Sequence, residues 1–172
     1  SLTFVDDTFI RYFNDLKQDG IHRGAYHFHR KNADPLKQAQ HFCNTIRAYV
    51  TDKDILVLDV EEGGETAAQL KTWFEEVIRQ YPRNKVMVYS RKNILDPIAM
   101  TTAQKDFFKK IPTWTAGYPL DPDAYSSVPT WYVPDQNKWG PVELWQYTKY
   151  GDITGISDNV DCNWIAPSLI TW

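Results

Sequence analysis

Cysteine is scarce. The 172 residues contain two, Cys43 and Cys162, too few for a disulfide framework in a domain of this size. No apolar run approaches the roughly 18 residues of a membrane helix, so no membrane partner is expected. Positive charge is also in short supply. Lys and Arg number 19 against 22 Asp and Glu, a formal net charge of −3. That balance leaves no basic face for a nucleic acid, and no nucleic-acid partner is expected. Glycine is limited to 8 residues, and Gly63-Gly64 has neither the spacing nor the lysine of a phosphate-cradling loop. No G-x-S-x-G elbow exists, so a serine nucleophile has no support. Internal repeats and Pro/Gly/Ser linkers are missing as well, which reads as a single domain over residues 1–172. No secretory signal is visible in the chain, which begins at Ser1. What is abundant is aromatic side chain. Aromatics make up 15% of the residues, with 7 Trp and 10 Tyr, and six of the Trp follow residue 110. A core does not need that many. Their flat apolar faces and polar tips suit an exposed binding cleft.

Periodicity predicts alternating helices and strands. Residues 6–19 read as a helix through Phe9, Tyr12, Phe13 and Leu16, capped by Asp6 or Asp7 and ended by Gly20. Residues 24–29 form a short aromatic strand. Asp34-Pro35 opens a helix whose apolar stripe is Ala39, Phe42, Cys43 and Ile46. Residues 55–61, Ile-Leu-Val-Leu-Asp-Val-Glu, lack alternation until the acids, as in a strand covered on both faces. Thr66 to Gln69 fits a capping box ahead of a helix carrying Leu70, Trp73, Phe74 and Val77, which Pro82 stops. Residues 86–90 read as another buried strand, 95–110 as one helix, and 112–118 as a strand. Residues 119–141 are rich in Pro, Asp, Ser and Trp and have no period. Strands follow at 143–148 and 160–164, with Gly151 and Gly155 marking a turn between them. Such alternation implies an α/β protein with a parallel sheet, open or closed into a barrel.

Asp59 and Glu61 carry the main chemical signal. Positions i and i+2 of a strand share a face, about 6.5–7 Å apart. Both lie at the C-terminal end of an aliphatic strand, the end where barrel enzymes collect their active sites. Two partly desolvated carboxylates on one face cannot both ionise cheaply, so one proton affinity rises and a donor stands beside an anion. Glycoside hydrolysis uses such a pair. The plainer alternative is that they are exposed strand-end residues. Glu62 and Glu65 read in that way, as acids preceding a helix. Asp161, at the start of the last strand, is a third candidate, with a simple turn residue as its alternative.

Other chemistries have less support. His27 and His29 alternate on one strand face, but no third ligand sits at a telling spacing, so no metal and no cofactor are expected. Cys43 falls on an apolar stripe, and nothing pairs Cys162 with a histidine as a nucleophile would require. Aromatics interleave with the carboxylates at the strand ends: Tyr26 and Phe28, Tyr89, Trp114 and Tyr118, Trp145 and Tyr147. About half should be core and the rest a platform for sugar rings. Gln146, between two aromatics, presents an amide suited to a hydroxyl or an N-acetyl group.

In order, Gly24-Ala25-Tyr26-His27-Phe28, Gln38-Ala39-x-x-Phe42, Leu58-Asp59-Val60-Glu61, Val88-Tyr89-Ser90, Trp114-x-Ala116-x-Tyr118, Leu144-Trp145-Gln146-Tyr147 and Val160-Asp161 resemble glycoside hydrolase family 25. These are the lysozymes (N-acetylmuramidases) of bacteria, phages and some fungi. The resemblance runs from about Phe4 to Trp164. It implies a modified, TIM-like β/α barrel that cleaves the β-1,4 bond between N-acetylmuramic acid and N-acetylglucosamine in bacterial peptidoglycan. Glu61 would be the general acid. Asp59 would stabilise positive charge on the sugar or orient its acetamido group, and Asp161 would be a further acid of the cleft. Tyr26, Tyr89, Trp114, Tyr118 and Gln146 would contact substrate. The enzyme is expected to act as a monomer on the cell wall, outside the cell, secreted or released by phage. One departure stands out. The family opens with a strand ending in an Asp-Val-Ser-like motif and then a second strand, whereas Ser1 to Gly20 match the segment after that second strand. The expectation is therefore a barrel lacking its first two strands in this chain, with one catalytic-cleft Asp not supplied. Two alternatives stay open: a non-catalytic cell-wall glycan-binding module, and a chitinase-like barrel hydrolase.

Overall fold

The computed structural model describes residues 2–118 and 139–170. Its helices are α1 (Phe9–Gln18), α2 (Pro35–Ile46), α3 (Ala67–Gln80), α4 (Lys92–Leu95), α5 (Thr102–Phe108) and α6 (Pro167–Ile170). The strands β1 (Gly24–Phe28), β2 (Ile55–Val60), β3 (Val86–Arg91), β4 (Thr113–Ala116), β5 (Val142–Gly151) and β6 (Val160–Ile165) lie in that order in one sheet. Strands β1 to β5 run parallel and β6 is antiparallel to β5. Strand order that follows chain order, without reversal, is the winding of a β/α barrel rather than of a doubly wound sheet. Here the curl is partial, with β1 and β6 as the edges among the described strands. None of the described helices is long and apolar enough to cross a membrane.

Local chemistry explains the helix starts. Asp34 accepts from the Lys37 N–H at 3.0 Å, with Pro35 in the first turn. Thr66 and Gln69 complete the expected capping box of α3. The helix α1 starts later than expected, because Asp6 folds back to accept from both the N–H and the hydroxyl of Thr8. The single helix expected over residues 95–110 is two, α4 and α5. Pro97 supplies no N–H to continue the helix, and a second capping box, Thr101 with Gln104, starts α5 afresh. The last strand pair corrects the all-parallel expectation. Residues 152–159 are too few for a crossover, so the chain turns back as a hairpin around Gly155, whose φ is +94°. The short helix α6 was not expected. Most of the irregular stretch 119–141 lies outside the described residues.

The two sheet faces differ. Ala25, Leu56, Leu58, Val60, Val86 and Val88 meet Phe42, Leu70, Trp73, Phe74 and Phe108 from the helices in the main core. The opposite face holds a smaller cluster, Val57, Met87 and Leu169, flanked by Ile55, Tyr89, Trp114 and Leu144. Leu169 of α6 covers the lower half of that face, and among the described helices no other packs into this cluster.

Candidate active site

Register builds the site. Phe28 pairs with Asp59, Asp59 with Tyr89, Tyr89 with Trp114, and Trp114 with Leu144. Paired residues of parallel strands share a face, so these side chains form one row across the face of the smaller cluster. A second row lies nearer the C-terminal strand ends. There Arg91 pairs with Ala116, Ala116 with Gln146, and Gln146 with Asn163. Glu61, two residues beyond Asp59 and just past the end of β2, enters the same second row beside Arg91.

Polar contacts tie the rows together. Tyr89 and Tyr118 both donate from their hydroxyls to Gln146 Oε1, at 2.8 and 2.7 Å. Trp114 stands edge-on to Tyr89, with ring centroids 5.1 Å apart, and donates from Nε1 to Asn163 Oδ1 at 2.8 Å. Arg91 Nε approaches Glu61 Oε1 to 3.7 Å. Of the residues singled out from sequence, Asp59, Glu61, Tyr89, Trp114, Tyr118 and Gln146 are thus brought together. Asp161 lies on an exposed position of β6, on the side of Asn163; burial raises the proton affinity of Tyr118, and the Asp161 charge adds to it. Tyr26 shares the face of Asp59 but stands at the β1 edge, 67% exposed. Trp145 lies on the other side of β5, buried, donating to the Gly117 carbonyl at 2.8 Å.

The carboxyl pair is asymmetric. Asp59 is 8% exposed, and its Oδ1 has no hydrogen-bond partner among the described residues. Burial first, and the nearby Glu61 charge second, push its pKa up to about 7. The rise expected for one of the two acids therefore falls on Asp59. Glu61 keeps more contact with water, its side chain being 30% exposed. Burial likewise raises the Tyr89 hydroxyl, with the Glu61 charge adding to it.

The loop after β2 is pinned from behind. Glu62 accepts from Arg30 Nη1 at 2.7 Å and from the Lys31 N–H at 3.0 Å, and Lys31 Nζ donates to the Gly63 carbonyl at 3.0 Å. Gly63 and Gly64 turn the chain with φ of +74° and +85°, values that a side chain would strain. Glu62 and Glu65 are therefore more than solvated acids preceding a helix. Glu65 is wholly buried, with Oε1 4.0 Å from His29 Nδ1. His27 and His29 sit on the helix-covered side, away from the face of Asp59. His27 packs against Phe42 and Trp73 and lies 3.2 Å from Gln38 Oε1. Burial lowers both pKa values to about 4. Among the described residues, no three His, Cys, Asp or Glu side chains gather as a metal site would require.

Sequence reasoning passed over Arg91, Asn163 and the Glu62 clamp. Spacing held a signal for two of them. Arg91 follows Tyr89 by two residues, and Asn163 follows Asp161 by two, so each shares a face with a residue already singled out.

Comparison with known proteins places this geometry. The family model described as glycosyl hydrolases family 25 matches residues 1–156. Lysozyme M1 of Streptomyces globisporus is 28% identical over 174 residues, covering 93% of this chain and 55% of the relative. The autolytic lysozyme of Clostridium acetobutylicum is 27% identical over 173 residues, covering 98% of this chain and 47% of the relative. The chain thus spans about half the length of these relatives. The crystal structure of the spore cortex lytic enzyme SleM of Clostridium perfringens superposes with a TM-score of 0.73 at 24% identity, over 98% of this chain and 57% of that one, a likeness of fold. On the strength of the family match over most of its length, this chain belongs to glycosyl hydrolases family 25.

Proposed function

We propose that this chain carries the catalytic site of a peptidoglycan hydrolase of the lysozyme type, cutting the β-1,4 bond between N-acetylmuramic acid and N-acetylglucosamine. The observation that carries the reading is the Asp59–Glu61 pair at the C-terminal end of β2, walled by Tyr89, Trp114, Tyr118 and Gln146. The family match, and relatives named as lysozymes, support it. Glu61 is the general acid, because it reaches the open cleft where a glycosidic oxygen lies. Asp59 is its partner. Nearly sealed from water, its carboxylate stabilises the positive charge that grows at the anomeric carbon above its pKa of about 7, and its protonated form orients the acetamido group of the sugar below it. Asp161 adds a further negative charge at the cleft rim. Trp114 and Tyr118 offer ring faces to the sugar, as does Tyr26 from the β1 edge, and the Tyr89–Gln146–Tyr118 cluster offers polar atoms for hydroxyl or amide groups. The partner is the bacterial cell wall, met outside the cell or after release by phage, by a single chain.

Release of reducing ends from purified cell walls, with loss of turbidity, tests the assignment. Glu61→Gln should lower the rate by roughly 10²–10⁴-fold. An unchanged rate would overturn the role of Glu61. The exposed Tyr26 on β1 favours a second reading, a glycan-binding module without turnover. It requires co-sedimentation with cell walls and no new reducing ends from the pure protein.

A further inference from the structure

The cleft gathers negative charge. Glu61 and Asp161 both act on Tyr118, Asp59 adds its charge above about pH 7, and a polysaccharide that carries carboxylates would meet their repulsion. Among the described residues, the cation beside Glu61 on this face is Arg91. Arg91 ends β3 two residues after Tyr89, in the row that also holds Glu61 and Gln146. Its Nε is 3.7 Å from Glu61 Oε1, beyond hydrogen-bond length, and its guanidinium carbon lies 6.0 Å from the centroid of the Tyr118 ring. The side chain remains 51% exposed. Neighbouring cations are engaged elsewhere. Arg30 donates to Glu62 and lies over Phe28, and Lys31 donates to the Gly63 carbonyl.

We propose that Arg91 is a specificity-determining residue that binds a carboxylate of the glycan, exchanging its loose contact with Glu61 for a bidentate one. This rests on the glycan-hydrolase reading above and adds the charge of the preferred substrate to it. A planar guanidinium matches a carboxylate with two parallel hydrogen bonds, and a half-exposed one gives up little hydration in doing so. Its place beside the proposed acid puts the bound carboxylate near the scissile bond. Two sources carry this chemistry: the lactyl ether of a muramic acid freed of its peptide, and the peptide stem itself.

The test compares three soluble substrates: sonicated intact peptidoglycan, strands stripped of peptide with free lactyl carboxylates, and stripped strands whose carboxylates have been amidated. Hydrolysis and equilibrium binding are measured on the whole chain, as wild type, Arg91→Met and Arg91→Lys. The wild type should prefer a carboxylate-bearing substrate over the amidated one by about tenfold in KM and Kd, the worth of one charge-assisted hydrogen bond. Arg91→Met should bring the ratio near unity, and Arg91→Lys should keep part of it. Preference for stripped strands identifies the lactyl group, and preference for intact peptidoglycan identifies the stem. A wild type without preference, or an Arg91→Met protein that keeps the wild-type ratio, overturns the proposal. If Arg91→Met does not unfold cooperatively on heating, Arg91→Lys decides, because a ratio equal to wild type at a non-bidentate ammonium contradicts the bidentate contact. Binding preference without any release of reducing ends would sink the hydrolase reading and leave the role of Arg91 standing.

Discussion

Asp59 holds a carboxyl group with almost no access to water and a second acid two residues away. Its pKa, about 7 in the folded chain against an ordinary 3.8, couples the site to stability. The folded state keeps a proton that the unfolded chain gives up. The stabilisation is complete below pH 3.8 and is lost as pH rises through about 7. Asp59→Asn cannot lose that proton, so from pH 5 to pH 8 its stability should rise relative to that of the wild type, as read by urea unfolding at the two pH values. Equal pH slopes in the two proteins would contradict the buried acid. Sequence alone placed both acids on one face, because strand geometry is periodic. It did not say which one is sealed off, because burial depends on Phe28 and Tyr89 from neighbouring strands, which take their places only in the assembled sheet.

At the scale of elements, the lower ends of β1 and β2 are joined by a buried ion pair. Arg23 donates from Nε and Nη2 to Asp54 at 2.8 and 3.1 Å, and from Nη1 to the Phe13 carbonyl at 2.5 Å. Its guanidinium carbon sits 3.9 Å from the centroid of the Phe13 ring, linking α1 to the sheet. Burial works against the charged form of Asp54, but hydrogen bonds from Arg23 and Thr51 outweigh it and hold its pKa down. Asp54→Ala leaves a buried guanidinium without its counter-charge and should cost about 3–5 kcal/mol in equilibrium unfolding. A cost below about 1 kcal/mol would place the pair among surface bridges. Neither partner announces itself in the sequence, since 31 residues separate them. The caps of α2 and α3 do, because Asp34, Thr66 and Gln69 act within one turn of chain. The break between α4 and α5 was legible too, at Pro97, but the apolar spacing on either side masked it.

For the whole molecule, opposing titrations set the response to pH. His27 and His29 are buried neutral, with pKa values near 4 against an ordinary 6.5. Their contribution is present above pH 6.5 and is lost as pH falls toward 4. Asp59 acts in the reverse sense up to about pH 7. Two groups outweigh one below pH 6.5, and Asp59 alone acts above it, so the melting temperature should peak near pH 6.5. A melting temperature that climbs steadily from pH 4 to pH 8 would contradict this balance. The order of elements and the α/β class, the acids at the end of β2 and the aromatic interleaving all follow from sequence, because period, capping and strand parity are local properties. The partial curl of the sheet, the antiparallel β6, the approach of Arg91 to Glu61 and the joining of Tyr89 and Tyr118 through Gln146 follow only from tertiary structure. These depend on register between strands dozens of residues apart, which the packing of helices on one face decides and no local pattern encodes.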